Sequence, residues 1–254
     1  MQQSVASYND PSVIRQYTGL HRLFAAEEAV LQDMGAALNN YDMLDIGVGG
    51  GRTTGHLISK VRSYTGIDFA TGMVRHCTKT YPAGQYPHSR FLEMDARSLN
   101  FDGGTFDFVL FSFNGIDSIV ANDRVRVLQE VFRVLKKGGS FLFSFHNIQS
   151  IDSLFGLHIP KNPLNWGREL RRYHRVKKNN SSKAALMACD HAMIKDGVNG
   201  DFSLGVIYVT PAYQQQCLLD TGFSQIKWYD EHGRDITAAA VESKDHWLHV
   251  WCNK

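Results

Sequence analysis

Nowhere do the 254 residues approach the roughly 20 uninterrupted apolar positions that a membrane-spanning helix requires. The opening MQQSVASYNDPSVIRQY has no basic segment followed by an apolar run. It therefore predicts no signal peptide, no membrane partner and a cytoplasmic location. Cysteine is sparse: Cys77, Cys189, Cys217 and Cys252 are scattered, with no Cys-x-x-Cys pair. That excludes a zinc knuckle and a disulfide framework, and it fits a reducing compartment. An excess of one charge is missing too. The 27 Lys and Arg against 25 Asp and Glu leave +2, too even to imply a polyanionic partner. Internal repeats and low-complexity tracts are absent. What is plentiful is apolar surface, 43% of residues, which excludes global disorder and allows one large α/β domain carrying an insertion.

Helix and strand patterns alternate through the first two-thirds of the chain. Residues Arg22 to Leu38 carry apolar side chains at helical spacing. Short apolar runs follow at Asp42–Gly47, Ser63–Asp68, Ser89–Met94, Phe106–Phe113 and Ser140–Phe145, each read as a strand. Between them lie helical stretches at Arg52–Lys60, Thr71–Thr80 and Asp123–Leu135. The last presents Val125, Leu128, Val131, Phe132 and Leu135 on one face and is expected to stop at Lys136-Lys137-Gly138-Gly139. Such alternation predicts a doubly wound, mostly parallel sheet that binds ligands at the carboxyl ends of its strands. Residues 148 to 199 break the pattern, being polar, basic in the middle and without alternation, so a helical or loop insertion is expected there. An extended piece at Val206–Thr210, a helix at Pro211–Thr221 and an antiparallel pair at Phe223–Asp230 and His246–Cys252 close the chain. The expected division is a core of residues 1–147 and 206–254, with 148–205 as a cap.

The chemistry concentrates where the first strand turns, in LDIGVGGGR. Gly47 and Gly49 permit close backbone approach to a ligand. The dinucleotide spacing G-x-G-x-x-G fails, because Arg52 holds the third glycine position. Asp45, just ahead of the turn, would repel a pyrophosphate and attract an ammonium. Asp68 ends the second strand about twenty residues on, where an acid accepts from both ribose hydroxyls. Asp95 follows the third strand, suited to an adenine amino group between the apolar walls of Phe69 and Ala96. Together these acids describe an adenosine site that faces a cationic tail.

These motifs resemble the class I S-adenosylmethionine-dependent methyltransferases. LDIGVGGGRTT, TGIDFATGMV, FLEMDARSL, FDFVLFSFNGID and RVLKKGGSFLFSFHN match that family's successive core motifs, over roughly Tyr41 to Asn147. The resemblance implies a Rossmann-like, seven-stranded sheet with an antiparallel last strand, and S-adenosyl-L-methionine as cofactor. It implies that Gly47 and Gly49 line the methionine moiety, and that Asp68 holds the ribose and Asp95 the adenine. Phe69 and Met73 would then pack on the adenosine, with Ser112 beneath the sulfonium.

Signatures of specialised branches are missing. SFNGID replaces the (N/D/S)PP(Y/F/W) motif of amino-group DNA and glutamine methyltransferases, no Pro-Cys occurs, and Ser112 to Asn122 holds no glutamate. Asn114, Asp117 and Asn147 are too thin an oxygen cluster for Mg²⁺, so no metal is expected and these residues are assigned to the acceptor. Methyl transfer to an O- or N-nucleophile of a small-molecule acceptor is the expected function. His146, at the fifth strand's end, is the candidate base. Tyr17, with Tyr8 and Arg15, is expected to close over the cofactor. The basic run RELRRYHRVKK suggests that Arg171, Arg172 and Arg175 attract an anionic acceptor. An RNA-directed enzyme using that run and a non-catalytic adenosine-binding subunit are the alternatives. A nucleic-acid partner is disfavoured by the balanced charge of the rest of the chain.

Overall fold

The structure, a computed structural model, describes residues 9, 11–197, 202 and 204–254. Its main sheet is built from β1 (Asp42–Ile46), β2 (Ser63–Asp68), β3 (Ser89–Glu93), β4 (Phe106–Phe111), β5 (Leu135–His146), β8 (Ser224–Tyr229) and β9 (Trp247–Asn253). These seven strands run in the order β3-β2-β1-β4-β5-β9-β8. The first five are parallel, while β9 lies antiparallel between β5 and β8. This is the Rossmann-like arrangement expected from the sequence.

Pleating decides which side chains face which layer. Along β4, Val109 and Phe111 join one apolar cluster and Phe108 and Leu110 the other. Along β5, Phe141, Phe143 and Phe145 face the first cluster while Leu142 faces the second. A strand covered on both faces has no polar side to show, which is why these two read as nearly continuous apolar runs. Parallel neighbours need crossover connections, supplied here in part by α3 (Thr54–Leu57), α4 (Thr71–Thr80) and α5 (Ala121–Val134), while α1 (Pro11–Thr18) and α2 (Ala25–Met34) precede β1. Strand order reverses at β1, so the segments following β1 and β4 diverge there and leave a crevice.

Some local expectations are corrected. The buried face of α5 is Arg124, Val127, Leu128, Val131 and Val134, with Val125 and Phe132 only half-buried. The helix is rotated from its apolar reading because Arg124 has a buried carboxylate to meet. The Lys136-Lys137-Gly138-Gly139 stretch belongs to β5 rather than to a helix end. Lys136 reaches Asp42 and Asp107 at 3.0 and 2.7 Å, tying together the neighbouring strands β1 and β4.

The insertion is not purely helix and loop. It holds α6 (Asp152–Phe155), α7 (Trp166–Asn179) and α8 (Lys183–Met187), followed by strand β6 (His191–Ile194). This strand pairs with β7 (Val206–Val209) in a separate antiparallel two-stranded sheet. Ile148, Ile151, Leu186, Ile194 and Tyr208 form a small apolar core beneath it. Helix α9 (Pro211–Thr221) then begins with the Thr210 hydroxyl accepting from the Tyr213 N–H and ends at Gly222 in left-handed backbone, as its proline and glycine signals require.

Candidate functional site

A cleft of about 360 Å³ opens at the carboxyl edge of the parallel strands. Gly47, Gly49, Asp68, Phe69, Met73, Asp95, Ala96 and Ser112 all line it, together with Tyr17 and Asp45. The loop after β1 turns through left-handed backbone at Gly47 and Gly49 (φ +66° and +54°). Gly50 admits no side chain: a Cβ there would lie 2.6 Å from the Thr18 nitrogen. The end of α1 therefore seats directly on the glycine turn, which brings Tyr17 into the cleft wall. Tyr8 lies outside the described residues.

Asp68 is buried at the end of β2. One carboxylate oxygen accepts the Gly49 N–H at 2.9 Å and the other the Ala70 N–H at 2.8 Å. Burial nonetheless raises its pKa, the backbone bonds opposing. Asp95 is more open, and its carboxylate is held by Arg97, which also reaches Asp123 at 2.8 Å. The Arg97 hydrogen bonds keep the Asp95 carboxyl below its ordinary range. Asp45 is fully buried, and one of its oxygens accepts from the Thr53 and Tyr64 hydroxyls, both at 2.6 Å. Desolvation outweighs those bonds and pushes its pKa up to about 6.

One element of the site escaped the sequence reading. Glu27, on α2, is buried and forms a two-pronged ion pair with Arg52 at 2.6 and 2.8 Å. It also accepts the Phe24 N–H at 2.9 Å, and both members of the pair hydrogen-bond the Ser112 hydroxyl. The Arg52 guanidinium lies 4.4 Å from the Phe24 ring centroid. Burial pushes the Glu27 carboxyl up, but Arg52 more than offsets this and holds it below the usual range. The available signals were a glutamate at the third position of a helix and an arginine where a nucleotide-binding loop would carry glycine.

The other half of the cleft is aromatic. Tyr17, Phe113 and Trp247 line it, with Phe113 at 5.6 Å from Trp247 and 5.9 Å from Tyr17. Phe113 and Asn114 both adopt left-handed backbone (φ 53° and 54°), a costly conformation for side-chain-bearing residues. The Asn114 N–H donates to Ser144 Oγ at 2.9 Å, which fixes the turn against β5. His146 ends β5, stacked on Tyr208 at 4.6 Å. Its Nδ1 lies 2.8 Å from Asp117 Oδ2, and its Nε2 lies 3.4 Å from Asn114 Nδ2. Because the Asp117 carboxylate can only accept, it holds the Nδ1 proton and leaves Nε2 as the basic nitrogen. Asp117 is itself paired with Arg124 at 2.5 Å, and Arg124 donates to Gln214 at 2.8 Å. All three are buried. Asn114 Oδ1 and Trp247 Nε1 are buried with no hydrogen-bond partner among the described residues.

Five expected acceptor residues are not brought to the cleft wall. Asn147 donates to the carbonyls of Ser243 and Asp245 at 2.7 and 3.1 Å, fastening the approach to β9. Arg171, Arg172 and Arg175 lie on α7. Arg172 pairs with Glu169 at 2.6 Å, and Arg175 sits 5.3 Å from the Phe202 ring centroid. Asp117 stands behind His146 rather than in the wall. Among the described residues no three His, Cys, Asp or Glu side chains converge as a metal site.

Comparison with known proteins bears on this geometry. Residues 43–139 match the family model described as a methyltransferase domain. The phosphatidylethanolamine N-methyltransferase of Cereibacter sphaeroides is 37% identical over 105 residues, which cover 41% of this chain and 50% of the relative. The match thus spans about half the length of that relative. Among solved structures, an S-adenosylmethionine-dependent methyltransferase from Mesorhizobium loti aligns with TM-score 0.63 and 18% identity, over 90% of this chain and 98% of that one. The 1,6-didemethyltoxoflavin-N1-methyltransferase of Burkholderia thailandensis aligns with TM-score 0.59 and 14% identity, over 100% of this chain and 86% of that one. These two share the fold. Residues 43–139, with the glycine turn and Asp68 among them, thus match a methyltransferase domain, and the fold is similar to that of S-adenosylmethionine-dependent methyltransferases.

Proposed function

We propose that the protein transfers the methyl group of S-adenosylmethionine to an oxygen or nitrogen of a small, flat, largely apolar acceptor. The observation that carries this reading is one cleft joining the glycine turn and Asp68 to the aromatic half that holds His146. The residues fit the cofactor: Gly47 and Gly49 leave room for the methionine portion, and Asp68 would accept from the ribose hydroxyls. Phe69, Met73 and Ala96 would enclose the adenine beside Asp95, while Asp45 would face the ammonium. When bound, S-adenosylmethionine supplies an electrophilic methyl whose departure leaves a neutral thioether.

The chain's own contribution is mostly placement and exclusion of water. Tyr17, Phe113 and Trp247 would sandwich the acceptor and hold its nucleophile about 3 Å from the methyl carbon. For a hydroxyl acceptor, His146 Nε2 takes the proton as the new bond forms, and Asp117 steadies the imidazolium. The Cereibacter relative is named as an N-methyltransferase, which keeps nitrogen in the acceptor class. In this reading residues 1–147 and 206–254 make the cofactor domain and 148–205 the cap, which joins that domain at Val206 in the cleft wall.

Calorimetry with S-adenosylhomocysteine tests the cofactor half. Asp68→Ala should weaken binding by about 1.5–3 kcal/mol, the worth of hydrogen bonds to a charged group. Unchanged affinity in a folded variant would move the ribose site elsewhere. A non-catalytic subunit would bind the cofactor yet methylate nothing when labelled cofactor is supplied with cell extract. An RNA-directed enzyme would label RNA instead of a metabolite.

Asp45 adds a pH dependence. Its pKa near 6 in the free protein means that it is protonated below that pH, whereas a bound ammonium favours the ionised form. Affinity for S-adenosylhomocysteine should therefore fall as pH drops below 6, by up to about tenfold per unit, and be flat above it. Asp45→Asn should abolish the slope. A slope that survives in that variant would assign it to another group.

A further inference from the structure

We propose that the outer face of the cap docks on an anionic lipid bilayer surface. Among the described residues, large apolar side chains left exposed are concentrated at Leu157, Ile159, Leu164, Trp166 and Leu170. Ile159 and Leu164 are 78% and 90% exposed, far beyond what a packed loop shows. All five fall within the 14 residues from Leu157 to Leu170. The His158 N–H donates to Glu169 at 2.8 Å, and Arg172 donates to the carbonyls of Leu154 and Gly156 at 2.8 and 2.6 Å. The loop carrying Leu157 and Ile159 is thereby strapped alongside the first turns of α7. Leu164 sits in the helical turn that leads directly into Trp166.

Helix α7 turns Glu169, Arg172, Tyr173 and Val176 inward, at the spacing of one helical face. Its opposite side presents Arg168, Arg171, His174, Arg175 and Lys178. The helix has one acid, Glu169, and Arg172 consumes it. Arg168, Arg171 and Lys178 have no carboxylate partner within 4 Å among the described residues. An apolar rim with a tryptophan, flanked by unpaired cations, is the composition that lies in a lipid headgroup layer. The apolar side chains enter the acyl boundary while the cations meet lipid phosphates.

Other occupants fit less well. RNA would engage the cations but offers nothing to Ile159 and Leu164. A second copy of the chain would set one cationic helix against another. The surface needs no spanning segment, and no described helix is long and apolar enough to provide one.

Co-sedimentation of the full chain with phosphatidylcholine vesicles, with and without phosphatidylglycerol, tests the proposal. Binding should be at least about tenfold stronger to the anionic vesicles and should weaken as added salt shortens the screening length. Leu164→Asp and Ile159→Asp should each reduce it several-fold, and the pair Arg168→Glu and Lys178→Glu about tenfold. S-adenosylhomocysteine affinity should stay unchanged in all of them, which separates a docking defect from misfolding. Equal binding to both vesicle types, no binding to either, or vesicle binding untouched by these variants would overturn the proposal. So would loss of the exposed patch into a dimer in solution, or capture of RNA in preference to vesicles. Because the test reads vesicle binding, it is independent of whether the acceptor assignment holds.

Discussion

Replacing Glu27 with alanine is expected to destabilise the fold by about 3–5 kcal/mol, because Arg52 is left buried with an uncompensated charge. The guanidinium has few alternatives: its remaining bonds go to the Arg22 carbonyl at 2.8 Å and to the Ser112 hydroxyl. Urea unfolding would read the loss directly. The double change Glu27→Ala with Arg52→Met should recover much of it, since removing both charges abolishes the desolvation cost along with the attraction. A loss below about 1 kcal/mol for the single variant would mean that water reaches Arg52 and that the pair is not the clamp described. Acid should act in the same direction. The folded pKa of Glu27 lies below its unfolded value, so its contribution is present above the ordinary carboxylate range and fades as pH falls through it. The glycine turn should loosen with the pair, because Arg52 belongs to that loop and α2 holds it from the other side.

Removing His146 is expected to cost about 10²–10⁴-fold in turnover of a hydroxyl acceptor, the usual contribution of a positioned base. S-adenosylhomocysteine affinity should be untouched by His146→Ala. Asp117→Asn should show a smaller kinetic loss, since the ring keeps its place but loses control of its tautomer. That variant should also lower stability, because Arg124 is buried and would have only Gln214 to face. Turnover within about threefold of the parent in His146→Ala would sink the assignment, leaving an acceptor that needs no base. Rescue by added imidazole would strengthen it.

Features that depend on one short stretch of chain were legible in the sequence. Gly47, Gly49 and Asp68 sit on motifs whose spacing is set by a strand, a turn and the next strand, so their convergence follows from topology. His146 was placed at a strand end by the same logic. What was hidden depends on partners far apart in sequence. Nothing local to Glu27 announces Arg52, and nothing local to Val125 announces that Arg124 will displace it from the buried face. The Asp117 carboxylate read as an acceptor contact because its pairing with Arg124 and His146 exists only once the turn after β4, α5 and the end of β5 have packed. Strand β6 was missed for another reason: four residues, half-exposed and bounded by polar segments, carry too little alternation to stand out. The arginines of α7 were read as acceptor ligands from their charge and from an insertion that leaves the sheet at its carboxyl edge, neither of which says which way a helix faces.

The placement of β9 between β5 and β8 has a consequence for how the protein is made. β5 pairs with residues about a hundred positions later in the chain, so during synthesis its free edge waits for the whole cap and β8 to emerge. That edge belongs to a strand carrying Phe141, Phe143 and Phe145, an apolar ribbon with unpaired backbone groups, and such edges recruit other chains. Nascent protein should therefore be most prone to aggregation after β5 has left the ribosome and before Trp247–Asn253 arrives. A strand that completes the sheet from its interior makes a late-synthesised segment a requirement for solubility, and shortening it would damage yield before it touched the cleft.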